Sequence, residues 1–282
     1  VLAVGVALTP AAPATAATPG WAPIASAAVH PGVVVRTGNV SCTSNYLFTD
    51  DTGALYLGMA ALCAHRNARP ADGPDGVHTN GCNFDSYPLG TPVELRGTGV
   101  RGVLAYSSWL AMRHWHELYS TCLDNNFALI RLPSGARSRA NPSVPGLGGP
   151  TALATAFTPA GAKVVGYGNG PAHLDAQPLR PMPGEVLGDN GGGYAHLVTS
   201  LPPGLPGDSG AGYLDAQGRA VGVLANLTID PPGANTVIDL ARILHYANSR
   251  GGMHGLRLIE GTEPFVGVPL VAGPQASPGA RS

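Results

Sequence analysis

The chain has 282 residues and a mass of 28.5 kDa, with 44% hydrophobic residues, 12% charged residues and a formal net charge of -1. A compact chain of this size buries about 73% of its extended surface, so a full core forms without help from metals, and disorder as the main state is excluded. The near-neutral balance gives no basic footprint for nucleic acid and no polybasic anchor for a membrane, and it leaves a protein or peptide ligand open without naming one.

The first 35 residues contain no Asp, Glu, Lys or Arg and open with the apolar run from Val1 to Leu8. With small-residue cleavage options such as Ala14-Thr15-Ala16 behind it, this reads as the remnant of an export signal over residues 1–17, followed by a linker over 18–31. Eight apolar residues are too few to span a bilayer, and no later stretch approaches that length. The protein is therefore expected to be secreted. The cysteines, Cys42, Cys63, Cys82 and Cys122, agree with an oxidising compartment: their number is even and no C-x-x-C pair is present. Three pairings are open. Joining neighbours would close loops of roughly 21 and 40 residues, worth about 3 to 4 kcal/mol each.

From Gly32 onward the apolar runs are short and bounded by Gly, Pro, Asn or Asp, the pattern of strands joined by turns. Strands are predicted at 32–36, 45–49, 54–59, 92–95, 101–106, 127–132, 162–167, 195–199, 211–214 and 219–224. Asp50-Asp51-Thr52-Gly53 and Asp215-Ala216-Gln217-Gly218 carry hairpin-turn chemistry. A helix near Ser107 or Ser108 is predicted, and 133–150 reads as a connection between two halves. Late in the chain, Asp239 caps a helix with Leu240, Ile243, Leu244 and Ala247 on one face, stopped by Gly251-Gly252. Residues 273–282 read as a disordered tail. The fold class expected from this run is all-β.

The sharpest motif is Gly207-Asp208-Ser209-Gly210. A tight turn bounded by glycines can aim the Ser209 hydroxyl outward while the Gly207 and Ser209 N–H groups form an oxyanion hole. With Cys42-Thr43-Ser44-Asn45-Tyr46-Leu47-Phe48 leading to Tyr56 through Cys63, then Cys122 to Leu132, then Gly207 to Leu227, the chain resembles the chymotrypsin-like serine proteases, in particular their secreted actinobacterial branch. The resemblance implies a double β-barrel over about 32–132 and 151–238 within one domain, 32–272, with a C-terminal helix at 239–250. It also implies a Cys42–Cys63 bridge beside the base position, which leaves Cys82 for Cys122.

The chain departs from that family at two positions that matter most. Where the family carries its general base, Met59-Ala60-Ala61-Leu62-Cys63 has Leu62; where it carries the orienting acid, Asn125-Asn126-Phe127 has Asn126. Ser209 is the triad residue that remains. A serine hydroxyl without a base is a poor nucleophile, and loss of the base alone costs about 10⁶ in turnover in a convergent protease. The expected function is thus an inactive homologue that acts by binding. The alternative is an endopeptidase in which His65, three residues after Leu62, serves as base with Asp124, two residues before Asn126 and on its strand face. In the specificity pocket the resemblance places Pro203 at the floor, where no acid can select Lys or Arg, and Leu227 on the wall, filling the space.

Other patterns are weaker. His114-Trp115-His116-Glu117 puts two imidazoles on one face if extended, without enough ligands for zinc. Gly166-Tyr167-Gly168-Asn169-Gly170 and Gly191-Gly192-Gly193 lack the spacing or the lysine of nucleotide loops and read as turns. No cofactor and no metal is expected.

Overall fold

A computed structural model of the chain describes residues 20–66, 80–171, 179–190, 193–229 and 231–268. The export-signal remnant at 1–17, the tail at 273–282 and Gly191-Gly192 lie outside the described residues.

The N-terminal half contains β1 (Val34–Thr37), β2 (Val40–Thr43), β3 (Leu47–Thr49), β4 (Leu55–Met59), β5 (Pro92–Leu95), β6 (Val100–Ser107) and β7 (Ala128–Arg131), with helices α1 (Ser108–Trp115) and α2 (Tyr119–Cys122) inserted between β6 and β7. The C-terminal half contains β8 (Lys163–Gly168), β9 (Arg180–Asp189), β10 (Ala195–Ser200), β11 (Gly212–Asp215), β12 (Ala220–Ile229) and β13 (Pro232–Asp239). Helix α3 (Leu240–Ser249) and the short β14 (Arg257–Leu258) follow.

The second half closes as an antiparallel barrel in the order β10-β13-β12-β11-β8-β9. The first half is an eight-stranded sheet in the order β14-β3-β4-β7-β6-β5-β1-β2. Its two ends are joined by the chain itself. Beyond β2, Ser44 still exchanges bonds with the β1 side (Ser44 N–H to Val33 O, Gly32 N–H to Ser44 O), and the next residue turns to β4, with Asn45 N–H to Gly58 O and Gly58 N–H to Tyr46 O. Read as one bent strand, β2 and β3 bring the ladder back to its start, and β14 lies outside it against β3. Along β6 the alternation of a half-buried strand is plain: Val100, Gly102 and Leu104 are buried while Arg101 and Val103 are exposed.

Both expected aspartate turns form. Asp50 Oδ1 accepts the Thr52 and Ala54 N–H groups, and Asp215 Oδ1 accepts those of Gln217 and Arg219. Asp239 caps α3 by accepting the Arg242 N–H, and the predicted face of Leu240, Ile243, Leu244 and Ala247 is buried. Helix α1 begins at Ser108 and carries His114 and Trp115 in its last turn, and His116 ends it in a left-handed conformation at φ 50°, so the His-Trp-His-Glu run does not form the extended strand that would put both imidazoles on one face.

Four strands escape the sequence pattern: β2, β9, β13 and the short β14. Strand β9 begins Arg180-Pro181-Met182-Pro183, and proline normally argues against a central strand. Here the Pro183 carbonyl accepts from Leu201 N–H on the β10 side, so its ring nitrogen faces that side too, just beyond the last β10 pair at Ser200 and Gly184. The missing N–H is not needed.

The halves share a core. Tyr46, Phe48 and Phe127 from the first meet Tyr167, Leu214 and Val223 from the second, with Ile243 and Leu244 of α3 in the same cluster. Polar ties cross the same boundary: the Tyr46 hydroxyl donates to Tyr213 O, the Tyr167 hydroxyl to Asn45 O, and Asn45 Nδ2 to Gly210 O. The disulfides are Cys42–Cys63 and Cys82–Cys122. No helix among the described residues is long and apolar enough to cross a membrane.

Candidate functional site

The turn from Gly204 to Gly210 is held from within and from both halves. Asp208 is fully buried; its Oδ1 accepts Gly170 N–H at 2.7 Å and its Oδ2 accepts Leu205 N–H at 2.9 Å. Gly207 and Gly210 have φ of 100° and 96°, where a side chain is strained. Space forbids one as well: a Cβ on Gly207 would lie 2.6 Å from Pro171 Cδ, and one on Gly210 would lie 2.4 Å from Thr43 O. On the first-half side, Thr43 donates its hydroxyl to Gly207 O and its N–H to Ser209 O.

Within this turn Asp208 N–H bonds Leu205 O and Gly210 N–H bonds Leu224 O, whereas the Gly207 and Ser209 N–H groups have no acceptor among the described residues. Two free donors two residues apart are what stabilisation of an oxyanion requires. Ser209 is half-buried, and its hydroxyl donates to Ala225 O in β12 at 3.1 Å.

Leu62 lies in a 3-10 turn, Ala61–Ala64, that follows β4 and is pinned to β2 by Cys42–Cys63. Its side chain packs, half-buried, against the core of the first half. Its N–H donates to Asn126 Oδ1 at 2.9 Å, which couples the two departures from the triad directly. Asn126 is fully buried, and its Nδ2 has no hydrogen-bond partner among the described residues. The neighbourhood supplies a donor, the Leu62 N–H, so the carbonyl end of the amide is satisfied and the NH₂ end is not. The adjacent Asn125 is also buried, and neither of its amide atoms has a partner among the described residues.

His65 turns back on its own segment: its Nδ1 bonds the Leu62 carbonyl, its N–H bonds the same oxygen at 3.2 Å, and its backbone bridges to Ser86. Asp124, buried, has φ of 58° and precedes β7 by four residues, so it does not share a strand face with Asn126. Left-handed backbone breaks the alternation on which that expectation rested.

In the pocket region Pro203 is half-buried. Leu227 is 42% exposed and does not fill the space expected of it; irregularities in the β12–β13 pairing on both sides of Leu227 change which side chains face inward. The residue that closes this region is Asn235 of β13. Its Oδ1 accepts Gly204 N–H at 2.8 Å, and its Nδ2 donates to Gly204 O at 3.1 Å and to Asn226 O at 3.2 Å. A Cβ on Gly204 would lie 2.3 Å from Leu224 Cδ1. Asn235 thus stitches the loop before Ser209 to β12. The sequence signal for it is an amide in the run Ala234-Asn235-Thr236-Val237, and it is legible only once β13 is known to be a strand. No group of three or more His, Cys, Asp or Glu among the described residues is placed to hold a metal ion.

Two antiparallel units, with Ser209 on a glycine-bounded turn where they meet, make the chymotrypsin-like serine protease fold. Comparison with solved structures finds the same architecture. Thermobifida fusca protease A aligns with a TM-score of 0.50 at 16% identity over 83% of this chain and 99% of its own. A glutamic acid specific serine protease described as using a histidine triad in substrate binding aligns with 0.50 at 16% over 82% and 100%. A Glu endopeptidase in complex with MPD aligns with 0.51 at 12% over 79% and 93%. At these identities the likeness is one of fold. No protein-family model matches the chain, and no curated protein matches it significantly.

Proposed function

We propose that the chain is a secreted serine protease homologue without peptidase activity, which acts by binding a protein or peptide. The observation that carries this reading is the Leu62–Asn126 contact: the two groups that should activate Ser209 are an alkyl side chain and an amide whose carbonyl is already engaged by the Leu62 N–H. Three further observations support it. The Ser209 proton is directed at a backbone carbonyl, which does not act as a base at neutral pH. The His65 ring is engaged at Leu62 O. Asn235 ties the pocket loop to its neighbour strand. The two disulfides support an extracellular location, since such bonds persist in oxidising compartments.

The test is labelling by a fluorophosphonate probe, which reacts with activated serines. Wild type is expected to label no faster than Ser209→Ala. Rapid labelling that is lost in His65→Ala would instead establish the alternative, an endopeptidase with His65 as its base.

A further inference from the structure

On the first-half side of the Ser209 turn the surface folds into a hollow of about 730 Å³. It lies between the N-terminal arm, the start of β1 and the turn joining β5 to β6. Ala27, Ala28, Val33 and Leu179 give it apolar walls. Among the described residues its ionisable lining groups are His30 and Arg96, and none of those residues is a carboxylate. The volume and the pattern, apolar walls with a few polar groups at the rim, are those of a ligand site.

Arg96 supplies the positive charge at the rim of the hollow. Arg36, Arg113, Arg219 and Arg257 each meet a carboxylate. Arg96 is exposed, and its guanidinium has no partner among the described residues. Behind the same turn Arg139 donates to Thr98 O, adding a second positive charge that no acid among the described residues answers. Burial, opposed by a bond to Pro31 O, holds the His30 imidazole below its ordinary value, so at neutral pH the charge of the hollow is carried by Arg96.

We propose that this hollow binds an acidic peptide segment of a partner protein, with apolar side chains against the walls and a carboxylate paired to Arg96. Charge complementarity selects that occupant: a guanidinium fork donates two parallel hydrogen bonds to a carboxylate, and a basic or neutral segment would leave its charge unanswered. The site stands whether or not Ser209 reacts, because none of its lining residues is at a triad position.

Fluorescence anisotropy with three labelled heptapeptides tests it, all on a Leu-Xaa-Leu-Xaa-Leu-Xaa-Ala frame with Glu, Gln or Lys at Xaa. The full chain is expected to bind the Glu peptide about tenfold tighter than the Gln peptide and to bind the Lys peptide weakest, with the preference shrinking at high salt. Arg96→Glu should reverse the order of the Glu and Lys peptides, and Ala28→Trp, which fills the hollow, should weaken all three. Arg96→Gln, which removes charge without adding any, covers the case in which Arg96→Glu fails to fold. Equal affinity for Glu and Gln peptides, no change on Arg96→Gln, or no binding of any peptide up to about 1 mM would each overturn the proposal.

Discussion

Asn126 shows how a single atom exchange reorganises a site. An aspartate there would offer two acceptors, whereas the amide offers one acceptor and two donors, and only the acceptor finds a partner. Asn126→Asp keeps an oxygen for the Leu62 N–H and removes the orphaned NH₂. Leu62→His alone is expected to restore little ester or peptide hydrolysis, because an amide at 126 favours the wrong imidazole tautomer, an effect worth up to about 10⁴ in a chymotrypsin-like enzyme. Leu62→His with Asn126→Asp is expected to exceed either single variant by far more than the product of their separate gains, as residues that act as a unit do. Initial rates on a p-nitrophenyl ester check this. If the double variant is no faster than wild type, the Asn235 stitch across the pocket becomes the next barrier, and Asn235→Gly in the same background is the variant to measure. Leu62, Asn126 and Ser209 were legible because a cysteine, a strand or a pair of glycines fixes their place in the chain. Asn235 was not, because Gly204, which it bonds twice, lies 31 residues away in the chain and meets it only in the folded barrel.

The elements that could be read were those whose cause lies within a few residues. The turn from Asp50 to Gly53 is one: Asp50 accepts two N–H groups and the Thr52 hydroxyl through one oxygen, and the Tyr56 hydroxyl at 2.7 Å through the other. Burial alone would raise this carboxyl, but the bonds from Thr52, Tyr56 and Ala54 outweigh it and hold the group below its ordinary value. Across the pair, burial and the Asp50 carboxylate push the Tyr56 hydroxyl up to about 12. A depressed carboxyl contributes stability that is fully present above the unfolded value of about 3.9 and is lost as pH falls through the lower folded value. The melting temperature of wild type should therefore drop more steeply below about pH 4 than that of Asp50→Asn, which starts lower at neutral pH and has less to lose; parallel profiles would remove Asp50 from the acid response. Helix α3 was legible for the same local reason, its cap and its apolar stripe being adjacent in sequence. Strands β9 and β13 were hidden because their prolines are tolerated only through positions in the ladder, which no window of sequence displays.

At the scale of the molecule, the segment after α3 is a strap laid across both halves. It pairs as β14 with β3, continues with Ile259 N–H to Leu47 O, passes Gly261 N–H to Pro150 O, and ends with Val266 N–H on Leu147 O. Met253 and Leu256 from this strap are buried in the shared core, and Phe265 packs against it. Burial of side chains of this size contributes about 1.5–3 kcal/mol each, so the strap carries a large share of the roughly 5–15 kcal/mol typical of a domain. A chain ending at Arg250 is expected to show no cooperative thermal transition by circular dichroism, and a sharp melt within a few degrees of wild type would show the strap to be dispensable. Asn141 marks where this geometry converges: its amide donates to Ala22 O near one end of the chain and to the Thr262 hydroxyl near the other. During synthesis these partners emerge in sequence, Ala22 first and Thr262 last. The early half waits on the late strap for part of its sheet and part of its core, so during synthesis the first half reaches its final form only after the strap has left the ribosome.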